Sequence, residues 1–356
     1  MRRTRSTSLG DIDLRFTSQT DRRHHATTTT PPIRPAAFHN RRLPLVAGLI
    51  GASLASAAGP AAASENGQIE YPIGVNTVLS AVRPPPGETR YYNYLQGYQA
   101  GETDNAAGKS TVPNFDLRAV VNAARTMHTW GWTEHGFSFT SVVVVPFVEE
   151  RVIAGPRNKQ IFGIGDVNVQ QYINWNDSKR TLYLSAGLTS WFPTGRYRST
   201  RLANTGLNRY TLAPELDATW IPSPHWEATA TTVFEQNFTN PATHYLSGHD
   251  ITTDFSLMYA ASKFQRLHFG LDGYVYKQID DDRQNGRALA ATDRAQVAAL
   301  GPQARLDFGR AGVVFKIQHE FAAQLRPQGN RFWVQFTVPL SPQTQSTPPH
   351  TPPPET

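Results

Sequence analysis

From residue 90 to residue 340 the chain alternates apolar and polar residues with a period of two, interrupted by turn-forming clusters. Segment 331–340 sets Phe332, Val334, Phe336, Val338 and Leu340 on one face and Trp333, Gln335 and Thr337 on the other. Segment 312–321 sets Val313, Phe315 and Ile317 against Lys316, Gln318 and Glu320, and 267–278 sets Leu267, Phe269, Leu271 and Val275 against His268, Asp272 and Tyr274. In 299–308, Ala304, Leu306 and Phe308 oppose Gln303, Arg305 and Asp307. In 180–192, Leu182, Leu184, Ala186 and Leu188 oppose Tyr183, Ser185 and Thr189. Successive side chains of a strand point to opposite sides, so these segments read as strands with one apolar and one polar face. Twelve strands are expected, over 90–99, 115–128, 135–147, 163–175, 180–192, 208–220, 225–237, 250–262, 267–278, 299–308, 312–321 and 331–340.

The connections decide how these strands are arranged. Those after the even-numbered strands are short: Trp130-Gly131-Trp132, Asn176-Asp177-Ser178, Pro222-Ser223-Pro224, Lys263 to Arg266, and Gly309-Arg310. Those after the odd-numbered strands are long and rich in Gly, Asn, Arg and Asp. An even strand number, strands of about ten residues, and short turns at one end with long loops at the other define an all-β fold: a transmembrane antiparallel up-and-down β-barrel of about 12 strands, with short periplasmic turns and long extracellular loops. Aromatic placement agrees. Trp130, Trp132, Trp175, Trp220, Trp226, Phe264 and Phe308 fall at the short-turn end, and Tyr98, Phe147, Phe192, Tyr210, Phe234, Tyr276 and Phe321 near the long-loop end, as two interfacial belts require. A soluble sandwich would explain neither the belts nor the alternation of connections. Closure also removes the edges that twelve open strands would expose.

Composition narrows the chemistry. The chain has 356 residues and no Cys, which excludes disulfides, thiol catalysis and Cys-ligated metals. Its net charge of +6 comes from the first 63 residues, which hold nine Arg and three Asp; the remainder balances at 25 basic and 25 acidic residues. A nucleic-acid partner is therefore not expected. No stretch after about residue 65 is apolar for long enough to form a transmembrane helix.

The leader reads as an export signal. Arg41 and Arg42 precede an apolar run from Leu43 to Ala58, and Ala61-x-Ala63 suits cleavage before Ser64. Residues 1–40 are Thr- and Arg-rich without periodicity, as a start site assigned upstream of the true one would give. Segment 64–89 has its own apolar residues (Ile69, Tyr71, Ile73, Val75, Val78, Leu79, Val82) but no strand partner, so it is either a lumen plug or a periplasmic lead. Residues 341–356 form a Pro/Thr-rich tail expected to be disordered.

By parity, Arg118, Asp166, Glu215, Asp217, Glu227, Asp254, His268, Asp272, Arg305, Asp307, Lys316 and Glu320 point into the lumen. So many charges are tolerated only if paired across the interior or lining water. Arg118, Asp166, Asp254, Asp272, Arg305, Asp307, Lys316 and Glu320 are the candidates for a transport path.

A series of short strings resembles the MetA-pathway phenol-degradation family of outer-membrane barrels. These are Tyr71-Pro72-Ile73-Gly74-Val75-Asn76-Thr77, Pro84-Pro85-Pro86-Gly87 leading to Tyr91-Tyr92-Asn93-Tyr94, Gly163-Ile164-Gly165-Asp166, Pro193-Thr194-Gly195-Arg196-Tyr197, Asn204-Thr205-Gly206-Leu207-Asn208, Thr243-His244-Tyr245-Leu246-Ser247-Gly248, Asp280-Asp281-Asp282 and Gly301-Pro302. Together they span roughly 67–340. The resemblance implies a barrel that moves small hydrophobic or aromatic solutes passively across the outer membrane, associated with aromatic catabolism. It supplies no catalytic residues. The expected partners are the lipid bilayer, lipopolysaccharide, the barrel-assembly machinery and the solute; no cofactor is expected.

Other motifs read more simply as structure. Pro193-Thr194-Gly195 ends a strand and turns the chain, and Gly163-x-Gly165 lacks the strand–helix unit of a nucleotide loop. Asp280-Asp281-Asp282 lacks calcium-loop spacing and reads as a solvated loop. His244, His249 and Asp250 offer too few ligands for a metal. Two other functions compete with the channel: a structural barrel with a closed lumen, and a hydrolase built on outward His319. The nearest outward serine to His319, Ser190, lies far round the wall.

Overall fold

The computed structural model describes residues 65–261, 266–289 and 294–341. The export signal with its cleavage site before Ser64, Phe264, and the tail from 342 onward lie outside the described residues.

Twelve antiparallel strands form one closed barrel. They are β1 (Thr89–Thr103), β2 (Asp116–Glu134), β3 (Phe137–Ala154), β4 in two segments (Arg157–Ile164 and Val167–Asn176), β5 (Leu182–Phe192), β6 (Thr211–Ser223), β7 (Trp226–Asn237), β8 (Asp250–Ala260), β9 (Leu267–Gln278), β10 (Gln296–Phe308), β11 (Ala311–Gln324) and β12 (Pro327–Pro339). Each strand pairs with its sequence neighbours, and β1 pairs with β12 from Arg90↔Pro339 to Ala100↔Gly329, which closes the ring. Closure satisfies the backbone of every wall strand within the sheet, the condition for strands in a lipid environment.

The side chains follow the period-two pattern, with the apolar face outward. On β6, Leu216 is 66% exposed while Glu215 and Asp217 on either side are each 3% exposed. Leu184, Leu257, Leu271, Phe315 and Phe332 likewise face out. Water would favour the reverse, so the surrounding medium is hydrocarbon. Trp130, Trp132, Trp220, Trp226 and Phe308 are exposed at the turn end, and Phe147, Phe192, Tyr210 and Phe321 at the loop end. Tyr98 and Tyr276 do not join the loop-end belt. They share parity with inward residues of β1 and β9; Tyr276 is 1% exposed, and the Tyr98 hydroxyl donates to Glu320 at 2.7 Å.

Three connections differ from the expected scheme. The β2–β3 turn is His135-Gly136, both at positive φ, not Trp130-Gly131-Trp132. Two consecutive positive-φ residues give the twist a tight hairpin needs, and the ladder continues past the tryptophans after a bulge between Thr129 and Thr133. At the loop end, β3 and the first segment of β4 pair out to Ala154↔Arg157, so an extended hairpin stands where a loop was expected. β11 and β12 are joined by Leu325-Arg326 alone. The remaining loop-end connections, 104–115, 193–210, 238–249 and 279–295, are long.

Candidate functional site

Residues 65–88 run through the barrel interior. Glu65 is held at the loop end, accepting from Tyr197 Oη at 2.6 Å and Asn240 Nδ2 at 2.7 Å. At mid-barrel the Asp254 carboxylate accepts from Tyr71 Oη (2.8 Å), Gly74 N (2.8 Å) and Asn76 N (3.0 Å). Lys316 donates to the carbonyls of Gly74 and Val75 and to Thr77 Oγ1. Gly74 sits at φ 84°, and a Cβ there would lie 2.4 Å from Gln318 Oε1, so this crossing requires glycine. Further down, Arg83 pairs with Asp217 and stacks on Tyr172, its guanidinium carbon 3.9 Å from the ring centroid. The segment leaves at the turn end, where Gly87 N donates to Thr129 O.

Several of the short strings meet at the loop end. Asp166, between the two segments of β4, accepts from Gly195 N (2.7 Å) and Leu207 N (2.6 Å). Thr205 Oγ1 donates to Ile164 O and accepts from Arg196 N. A Cβ on Gly195 would fall 2.6 Å from Gly206 Cα, so the two backbones approach as only glycines permit. Burial raises the Asp166 carboxyl above its ordinary value, against the two backbone donors. Asp280-Asp281-Asp282 is not a solvated loop: Asp282 is buried and accepts from Gly248 N at 2.6 Å, and Asp281 pairs with Arg294 at 3.1 Å. The triplet therefore fastens loop 279–295 to loop 238–249.

From Tyr71 to Ser80 the lumen segment lies against the polar half of the wall, β6 to β12. Against the other half it leaves a cavity of about 1080 Å³. Ala119, Val121 and Ala123 of β2 and Val144, Val148 and Val152 of β3 line it, with Trp191, Tyr94 and Tyr98 at its sides. Thr111 to Pro113 and Leu202 lie at its loop end. Its deep end holds Arg125, Gln170, Thr189 and Glu215.

The expected path residues are distributed unevenly. Asp254, Asp272, Lys316, Glu320 and Arg305 are buried and inward. Asp254 and Lys316 hold the lumen segment, and Asp272 is bound by Gln318. Glu320 belongs to the wall, pairing with Arg331 at 3.2 Å and accepting from Tyr274 Oη at 2.6 Å. Arg305 bridges Glu227 (2.6 Å) and Asp307 (3.1 Å) at the turn end, where Asp307 is partly exposed. Asp166 fastens loops. Arg118 is misplaced by the sequence reading: its side chain is 58% exposed on the outside and pairs with Asp116 at 3.2 Å. The inward residues of β2 are the odd-numbered ones, among them Arg125, Met127 and Thr129. Sequence reasoning missed Arg125, Arg83, Arg209 and Arg331. The parity of Arg125 with Val121 and Met127 was a usable signal, as was that of Arg209 with Glu215 and Asp217 in the expected strand 208–220; Arg83 lies outside any strand, where no period applies.

Ser190 and His319 stand on β5 and β11, which lie across the ring from each other in strand order, and His319 is engaged by Asn330 at 2.9 Å. Among the described residues, no three His, Asp or Glu side chains are grouped to hold a metal.

A closed twelve-stranded wall with an apolar exterior and a polar lumen defines an outer-membrane β-barrel. The chain belongs to the family described as the MetA-pathway of phenol degradation, whose model matches residues 100–336. Among solved structures it is similar to an outer membrane channel from Pseudomonas putida F1, with 16% identity and a TM-score of 0.64 over 76% of this chain and 100% of that one. The β domain of the Bordetella autotransporter BrkA (10% identity, TM-score 0.43, 70% of this chain, 98% of that one) and a Pseudomonas aeruginosa FadL homologue (8%, 0.37, 78% and 96%) are more distant. No curated protein matches the chain.

Proposed function

We propose that the protein is a passive outer-membrane channel for small hydrophobic or aromatic compounds, with residues 65–88 acting as a plug that narrows the lumen to one apolar passage. The observation that carries this reading is the cavity between the plug and β2–β3, whose wall is apolar from Val148 through Pro146 to Val144 and from Ala119 to Ala123, with Glu150, which accepts from Gln68 Nε2 at 3.2 Å, the one carboxylate of β3 beside it. An open, water-filled porin would have a polar lining there. An aliphatic wall stabilises an apolar solute in proportion to the area it covers, on the order of 25 cal/mol per Å². The plug keeps the lumen too narrow for free exchange of ions and water.

Filling the passage tests this. Uptake of a radiolabelled aromatic solute such as toluene is measured in cells lacking the gene and complemented with wild type or Ala123→Trp. Wild type should speed uptake, and Ala123→Trp should return it to the level of the deletion. Uptake that is the same with and without the protein refutes the reading.

A further inference from the structure

We propose that the deep end of the cavity is a binding site for the carboxylate head of an aromatic acid, with the Arg125 guanidinium as its counter-ion. This deepens the channel reading and rests on it. Arg125 is 5% exposed. Its Nη1 donates to Tyr94 Oη and its Nη2 to Gln170 Oε1, both at 2.9 Å, and Tyr92 and Tyr94 offer their rings at 5.8 and 5.9 Å. All of these partners are neutral. Among the described residues no carboxylate lies within ion-pair distance of Arg125, unlike Arg83, Arg305 and Arg331, which each have one. A buried charge without a paired counter-charge is costly, so such a position favours an anion from outside.

Hydrogen-bonding capacity points to the same place. Arg125 Nε, Gln96 Nε2 and Thr189 Oγ1 are buried and have no hydrogen-bond partner. All three residues line the cavity, and Thr189 pairs directly across the sheet with Gln170, which holds Arg125. At the level of Gln170 the unspent groups are the Arg125 Nε–H donor and the Thr189 hydroxyl, which can donate, a pair suited to the two oxygens of one carboxylate; Gln96 pairs across the sheet with Val121 and lies higher along the passage. Glu215 also lines this end, but it is engaged by Asn76 Nδ2 at 3.3 Å, and the Asp217 beside it is committed to Arg83. Above the head group, Val121, Ala123 and Val144 offer an apolar wall for the ring. Head and wall together select a ring with one acidic substituent over the neutral ring alone.

The test is equilibrium binding to the purified, full-length barrel in detergent. The probes are benzoate and its neutral methyl ester, followed by ligand-observed saturation-transfer NMR. Arg125→Gln and Arg125→Lys are compared with wild type, and Arg118→Gln on the outer face is the control. Heat-resistant gel migration reports folding. Wild type should bind benzoate at least about tenfold tighter than methyl benzoate. Arg125→Gln should abolish that preference while leaving the ester unchanged, Arg125→Lys should keep part of it, and Arg118→Gln should match wild type. If Arg125→Gln fails to fold, Thr189→Val should weaken benzoate alone. Equal affinity for acid and ester in wild type, or a preference that survives substitution at both positions, overturns the carboxylate site and leaves the channel reading standing. Binding of neither probe overturns both.

Discussion

Replacing Asp254 with alanine should release the plug. Its carboxylate accepts three hydrogen bonds from the segment, from Tyr71 Oη, Gly74 N and Asn76 N. Asp254 itself is 0% exposed, so water does not compete for these groups while the plug is docked. Hydrogen bonds to a charged acceptor contribute about 1.5–3 kcal/mol each. Three at the lower end sum to roughly 4.5 kcal/mol, and water recovers part of this once the segment is free. The other anchors remain: Lys316 on the Gly74 and Val75 carbonyls, Glu235 on Tyr71 N at 2.9 Å, and Arg83 on Asp217. The net shift toward the undocked state is therefore about 3 kcal/mol, or on the order of a hundredfold in its population. Because the chain has no cysteine, Val75→Cys, at a site 8% exposed, makes a single reporter. A membrane-impermeant maleimide should label it about a hundredfold faster with Asp254→Ala than without, with the barrel still folded. Labelling rates within about twofold of each other would mean that Asp254 does not hold the segment, and the energetic argument for the plug would fail.

Two further outcomes follow from the wall. Arg305→Ala strands Glu227, which is 3% exposed, and should lower barrel stability by roughly 3–5 kcal/mol, whereas Arg118→Ala removes an exposed pair and should change it by less than about 0.5 kcal/mol; urea midpoints in detergent compare the two. Protease added to intact cells should cut within loop 279–295 and spare Pro222 to Pro224; cleavage confined to the short turns would reverse the assigned orientation.

The strand pattern was legible because two solvents act on one wall. Lipid excludes charge from one face and the lumen tolerates it on the other, so β9 to β12 can be read residue by residue. β2 resists this treatment. Ala119, Val121 and Ala123 line an apolar cavity while Val120 faces lipid, so both faces are apolar and parity loses its contrast. Arg118 lies near the loop end, where an outward charge reaches water, and this removes the penalty on which its inward assignment rested. Tryptophans around Gly131 looked like a turn, yet the left-handed pair His135-Gly136 makes it. The lumen segment was unreadable for a different reason. The wall partners of residues 65–87 lie 42 to 260 positions away in the chain, from Thr129 to Gln335, and the segment's local backbone turns carry no strand period. The Gly-containing strings at 163–166, 193–197 and 204–208 looked like separate strand ends until the structure brought them to Asp166.

The path of residues 65–88 has a consequence for assembly. They precede every wall strand in the chain and enter the lumen at one end and leave it at the other. A wall sealed without them would enclose Asp254, Lys316, Asp217 and Thr219 with no segment to meet, and the segment would then have to thread a filled ring. Laid down first, the same residues act as a mandrel. Each strand of β6 to β8 and β10 to β12 finds part of its inward polar side already matched as it joins, and the β1–β12 seam shuts around a core that is in place.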